Sequence, residues 1–189
     1  MKKTDAEMGG PEQRTAAVLR RVGKGARGAE VGVFRGVMSG LLLRGGCDRL
    51  FMVDNWLPAN KQPKAYKDTR DGMSRLSVEE AAYNRTRSYE VARRFKAKAV
   101  VLEMSSAEAA KKINDGSLDF VFLDADHSYD GVRADIEAWL PKVRKGGWIG
   151  GHDYDNGHPD YDFTGVKRAV DEAFPNVETD ANFTWFVRV

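Results

Sequence analysis

Cysteine is nearly absent from this chain. Cys47 is the single one in 189 residues, so an internal disulfide or a multi-cysteine zinc site is excluded. It reads as a small residue near a helix end. No apolar run reaches the roughly 20 residues that a membrane-crossing helix needs. Met1 to Gly10 is polar and mixed in charge, without the apolar stretch of a secretory signal. Charge of one sign is lacking too: 30 basic and 28 acidic residues leave a net +2, which gives neither nucleic acid nor a membrane surface a bulk attraction. The expectation is a cytoplasmic single domain over residues 1–189, with a flexible tail at 1–10. With 42% hydrophobic and 31% charged residues the composition is that of an ordinary globular protein.

Strand-like and helix-like segments alternate, the pattern of a parallel sheet covered on both faces. Helices are expected at Glu12–Val22, Val37–Leu43, Val78–Phe95, Ala107–Ile113, Tyr129–Leu140 and Phe163–Phe174. Parallel strands are expected at Ala29–Val33, Leu50–Val53, Ala99–Leu102, Asp119–Leu123 and Trp148–Gly151. Val177 and Phe183–Val189 should close the sheet as an antiparallel pair, making seven strands. Pro141 and Gly146-Gly147 read as stops after the fifth helix. Residues 55–77 break the rhythm with two prolines, many polar residues and Asp71-Gly72. A stretch that long reads as an irregular substrate-side loop or lid. Its basic residues Lys61, Lys64, Lys67, Arg70 and Arg75 read as a solvated surface, and His158 as a surface residue.

In a doubly wound sheet ligands lie beyond the carboxyl ends of the strands. The first such end is Gly28-Ala-Glu30-Val-Gly32-Val-Phe-Arg-Gly36, an E-x-G-x-x-x-G turn in place of the dinucleotide fingerprint G-x-G-x-x-G. Glu30 would repel a pyrophosphate and suits a cationic group. Asp54, ending the second strand, is placed to accept hydrogen bonds from ribose hydroxyls. The fourth strand runs into Asp124-Ala-Asp126-His127, with Ser128 or Asp130 as helix-cap candidates. The fifth runs into His152-Asp153. If the two strands are neighbours, Asp124, His152 and Asp153 can converge as ligands of a divalent cation. His127 has an ordinary pKa near 6.5, suited to taking a proton from a hydroxyl.

The segments D-A-D-H-S-Y-D-G-V and W-L-P-K-V-R-K-G-G-W-I-G-G-H-D-Y, together with the first turn, resemble the class I S-adenosylmethionine-dependent methyltransferases. The likeness is to the group that includes macrolide-sugar and aminocoumarin O-methyltransferases, with catechol O-methyltransferase more distant. It covers roughly Gly28 to Tyr154. It implies a Rossmann-like fold, an S-adenosyl-L-methionine cofactor and metal-assisted transfer to a hydroxyl of a small molecule. By that likeness Glu30, Gly32 and Gly36 line the methionine end of the cofactor. Asp54, with Asn55 beside it, binds the ribose, and Ser105 and Ser106 contact the adenine edge. Asp124 adjoins the cofactor and, with Asp153 and His152, the metal (Mg²⁺ or Mn²⁺). His127 falls at the general base.

Two departures stand out. His152 replaces an acid of the relatives, which either favours Mn²⁺ over the harder Mg²⁺ or leaves the site without a metal, and Met104-Ser105 replaces a Gly-Asp pair. The chain is also shorter than many relatives, so cover for the substrate must come from residues 55–77 or from a second copy in a homo-oligomer. Two rival readings are a nicotinamide-dependent oxidoreductase, which the missing fingerprint disfavours, and a non-catalytic cofactor- or partner-binding protein.

Overall fold

The computed structural model describes residues 9–189. The tail expected at 1–10 falls outside them as far as Met8, and Gly10 already opens a helix. In chain order the elements are α1 (Gly10–Val22), β1 (Arg27–Val31), α2 (Val37–Arg44), β2 (Arg49–Asp54), α3 (Lys64–Asp68), α4 (Val78–Phe95), β3 (Ala99–Glu103), α5 (Ser106–Ala110), β4 (Leu118–Leu123), α6 (Tyr129–Trp139), β5 (Val143–Gly151), α7 (Thr164–Ala173), β6 (Glu178–Asp180) and β7 (Thr184–Arg188). The seven strands form one sheet in the order β3-β2-β1-β4-β5-β7-β6. Strands β1 to β5 pair in parallel and β7 runs antiparallel between β5 and β6. This is a Rossmann-like, doubly wound α/β fold. No helix among the described residues is long and apolar enough to cross a membrane.

The two-residue period of β4 shows how the sequence places the sheet between two helical layers. Phe120 and Phe122 join Val18, Leu42, Leu50 and Met52 in a cluster with α1 and α2. Val121 and Leu123 join Ile136, Trp139, Ile149, Val170 and Trp185 on the side of α6 and α7. Both Phe120 and Phe122 are fully buried, and each contributes about 1.5–3 kcal/mol by leaving water. Cys47 is buried in the first cluster.

Several expectations shift. Strand β1 begins and ends two residues earlier than its apolar run suggested. Helix α5 stops at Ala110 rather than Ile113. Gly146-Gly147 does not precede β5 but lies inside it, where the pairing with β4 slips between Leu118 and Phe120. Gly146 has φ +78°, and a Cβ on Gly147 would stand 2.7 Å from the Asp119 carbonyl oxygen. The pair forms an irregularity in a strand rather than a stop. Residues 55–77 are also more regular than expected, with α3 and two short 3-10 turns at 59–61 and 72–75. Tyr66, Thr69, Asp71 and Ser74 are buried there, while Lys64 and Arg75 are exposed.

The working edge is set where β1 and β4 exit side by side. Asp124 N–H donates to the Val31 carbonyl (2.7 Å), and Gly32 N–H donates to Val53 (2.9 Å). Gly32 turns there at φ +89°, and a Cβ on it would lie 1.9 Å from the Asp124 carbonyl oxygen. Left-handed strain and backbone overlap add up for any other residue, so Gly32→Ala should lose about 3 kcal/mol or more of stability. The urea midpoint measures this, and an unchanged midpoint would mean that the two backbones do not cross so closely.

Candidate active site

The turn after β1 is held from two sides. Asp54 Oδ2 accepts from the N–H groups of Val33 (2.9 Å) and Phe34 (3.0 Å), and its Oδ1 accepts from Trp56 N–H (2.8 Å). Burial raises the Asp54 pKa, with these backbone donors opposing. Most of the carboxylate's acceptor sites are thereby used within the chain. Asn55 Oδ1 accepts from Leu57 N–H at 3.1 Å, a local turn that leads the chain away from the sheet. Gly36, at φ +71°, caps the start of α2.

Glu30 lies below this turn, 3% exposed, and accepts a hydrogen bond from the Ser39 hydroxyl. Burial pushes its carboxyl up to about 8, against the pull of Ser39 and of Arg14, while Asp124 and Asp54 push the same way as burial. Its one direct hydrogen-bond partner among the described residues is neutral. A buried carboxyl in that state fits a ligand that brings a positive group.

At the exits of β4 and β5 an imidazole sits among three acids. His127 Nε2 is 3.0 Å from Asp153 Oδ2 and 3.3 Å from Asp124 Oδ1. Its Nδ1 is 2.8 Å from Asp71 Oδ2, and its ring lies tilted against Phe163, with the centroids 4.5 Å apart. His152 Nδ1 lies 2.9 Å from Asp153 and 3.5 Å from Asp124. Arg14, from α1, sets Nη1 3.1 Å from His152 Nε2 and 3.9 Å from Asp124 Oδ2. Asn182 Oδ1, from the turn between β6 and β7, lies 3.2 Å from His152 Nε2. Asp153 takes the left-handed φ of +59° and is tied by Asn156 Nδ2–H at 2.5 Å. Asparagine and aspartate tolerate that region better than most residues.

These charges set one another. Burial works against the imidazolium of His127, but Asp124, Asp153 and Asp71 outweigh it and raise its pKa well above 6.5. Burial likewise opposes His152, and Asp124 and Asp153 bring it up to about 9. Burial would raise both acids, yet the two imidazoles hold Asp124 and Asp153 well below the carboxylate range. These surroundings favour the imidazolium form of His127 over the free imidazole that the sequence suggests.

Asp124, His152 and Asp153 also offer one ligand atom each within 4.8 Å of one another. Bonds of about 2.0–2.6 Å to a single cation allow such separations, so the donor set fits a divalent ion. Beside it lies a narrow gap of about 10 Å³, lined in part by Asp126, His127, Asp135, His152 and Trp185.

Of the residues singled out in the sequence, Glu30, Gly32, Asp54, Asp124, His127, His152 and Asp153 gather along the β2-β1-β4-β5 edge. Ser105 and Ser106 follow β3, the neighbour of β2, and their side chains bond within the chain. Ser105 caps α5 in a reciprocal pair with Glu108. Ser106 donates to Asp135 (2.5 Å) and accepts from Trp139 Nε1–H (2.8 Å). Ser128, not Asp130, caps α6, and His158 is exposed, stacked on Tyr161. Three contributors were not singled out: Asp71, Arg14 and Asn182. Asp71 looked like turn punctuation beside Gly72, while Arg14 and Asn182 carry no local signal.

The fold has close counterparts among solved structures. The O-methyltransferase NovP superposes with a TM-score of 0.65 at 18% identity, covering 93% of this chain and 78% of that one. A protein from Corynebacterium glutamicum gives 0.64 at 15% identity, covering 94% and 79%. An O-methyltransferase from Bacillus cereus, in complex with SAH, gives 0.56 at 19% identity, covering 98% and 80%. At such identities the likeness is one of fold. No curated protein matches the sequence. The family described as a methyltransferase domain matches residues 29–154, a span that runs from within β1 past Asp153 and includes Asp71, Asp124 and Asp153. This chain belongs to that methyltransferase family.

Proposed function

We propose that the protein transfers the methyl group of S-adenosyl-L-methionine to a hydroxyl of a small molecule. The observation that carries this is the meeting of a buried, neutral-partnered Glu30 beneath a glycine turn with the Asp124–His127–Asp153 cluster on adjoining strand exits. Membership of the methyltransferase family and the O-methyltransferases among its structural counterparts support the same reading. Glu30 would pair with the ammonium of the cofactor's methionine end, and the remaining acceptor capacity of Asp54 would serve its ribose. When bound, the cofactor would supply an electrophilic methyl carbon to the acceptor oxygen, with the carbon–sulfur bond's electrons leaving on a neutral thioether. The hydroxyl proton passes to His127 Nε2.

That last step requires an unprotonated Nε2. The resting site keeps His127 cationic because three acids surround it, so its readiness as a base depends on offsetting their charge. The sulfonium is positive, and so is a divalent ion on Asp124, His152 and Asp153. Such an ion would also stabilise negative charge developing on the acceptor oxygen. Asp124 and Asp153 bound in that way would no longer press on the imidazole, and its pKa would fall.

His127→Ala should lower turnover by about 10²- to 10⁴-fold while leaving cofactor affinity within a few-fold of the wild type. SAH release on a panel of catechol, a simple phenol and a hexose measures the first, and calorimetry with SAH the second; equal losses in both would reject the base role. Chelation should depress turnover, and Mn²⁺ should restore it better than Mg²⁺. Glu30 yields a pH test. Its pKa of about 8 means that a partnering ammonium expels a proton, so cofactor binding near pH 7 should release up to about one proton more in the wild type than in Glu30→Gln. Below pH 5 that ammonium still has to expel the proton, so the affinity advantage of Glu30 should shrink as pH falls. Titrations in two buffers of different ionisation enthalpy count the protons, and an identical count in both proteins would remove Glu30 from the cofactor site.

A further inference from the structure

Asp71 is the one acid of the cluster that does not come from a strand exit. It reaches His127 from across 56 positions of sequence, out of the segment between β2 and α4. The turn that carries it needs only part of its side chain: Asp71 Oδ1 accepts from Met73 N–H (2.9 Å) and caps the short turn at 72–75. Its Oδ2 has a different use, accepting from the Tyr66 hydroxyl (2.8 Å) and from His127 Nδ1–H (2.8 Å). The acid is fixed along its backbone as well, because Ser74 Oγ–H donates to its carbonyl (2.7 Å) and Thr69 Oγ1 accepts from its N–H (3.3 Å). Asp71 is 6% exposed and His127 8%. Asp124 and Asp153 already give the imidazole its ion-pair partners, so burying a third carboxylate beside it is an added desolvation cost with no pairing need behind it. Its distinct effect is directional. A carboxylate only accepts, so Nδ1 must carry the proton that faces Asp71, and the opposite nitrogen is left pointing at the strand edge.

We propose that Asp71 is a positioning residue: it locks the His127 ring by Nδ1–H so that Nε2 alone faces Asp124, Asp153 and the reacting atoms. The segment 55–77 thereby becomes part of the active site's alignment rather than only its cover. The consequence for turnover rests on the methyltransferase reading; the hydrogen bond does not.

The test uses the full chain with ¹⁵N-labelled histidine. Three histidines make the spectrum simple, and His127→Asn identifies the resonance. The expected result is a downfield, slowly exchanging Nδ1 proton on His127. It should persist in Ser74→Ala, which loosens the same turn without touching the carboxylate. It should vanish or exchange rapidly in Asp71→Asn, whose amide cannot accept from both Met73 and Nδ1–H through separate oxygens, and return in part in Asp71→Glu. On the acceptor that the wild type methylates best in the panel above, Asp71→Asn should lower kcat by about 10²-fold or more. KM and SAH affinity should stay within a few-fold, as should kcat of Ser74→Ala. A wild-type Nδ1 proton that exchanges freely would overturn the proposal, as would an unchanged signal in Asp71→Asn. Equal loss of kcat in Asp71→Asn and Ser74→Ala would overturn it too, by reducing Asp71 to a structural tie. A wild type that binds neither S-adenosylmethionine nor SAH would instead defeat the methyltransferase reading, with the nitrogen spectrum still deciding the Asp71–His127 lock.

Discussion

A carboxylate taken out of water has to find positive charge or hydrogen-bond donors close by, and that requirement holds the carboxyl edge of this sheet together. Asp71, Asp124 and Asp153 converge on His127, and Asp124 and Asp153 also draw in His152. Arg14 closes the group from α1. Removing one member leaves its partners buried without compensation, a costlier change than replacing the whole set by apolar residues of like volume. The arrangement persists because four segments of the chain contribute at once. It is therefore a site with its own electrostatic order before any ligand arrives, and a ligand must replace part of that order to bind.

Backbone geometry makes the convergence available. β1 and β4 are neighbours in register, with Val31 beside Leu123, so their exits deliver the glycine turn and Asp124 to the same place. β4 and β5 pair at Leu123 and Gly151, which brings His152 and Asp153 alongside. The slip in β5 at Gly146-Gly147 sits at the opposite end of the strand and leaves this end in step. Parallel order thus converts separations of many tens of residues into contacts of about 3 Å, the hydrogen-bonding range.

The sequence discloses this edge to the extent that strand exits disclose it. A buried apolar run ending in an acid points to that edge and places Asp54, Asp124 and Asp153 on it without coordinates, while Glu30, inside β1, is picked out by the glycine turn that follows it. Residues that reach the edge from elsewhere leave no such mark. Arg14 is one basic position on an amphipathic helix, indistinguishable in sequence from Arg20, which pairs with Asp180 at the surface. Asp71-Gly72 has the composition of a turn and does form one; its second function exists only because the segment folds back onto His127. Ser106 shows that position in sequence does not disclose bonding. It follows β3 as a ligand contact would, but both its proton and its lone pair go to α6. The protonation of His127 was hidden for the same reason, since a pKa belongs to neighbours that only tertiary structure supplies.

Arg14 and Asn182 approach within 3.5 Å although 168 positions separate them, and both touch His152. A contact spanning nearly the whole polypeptide closes a very large loop, and such closures come late because little local structure rewards them on the way. The sheet can assemble its central strands from much nearer pairings. This protein should accordingly possess its architecture before its chemistry: a refolding molecule acquires a sheet first, and the surroundings of His152 are among the last things it completes.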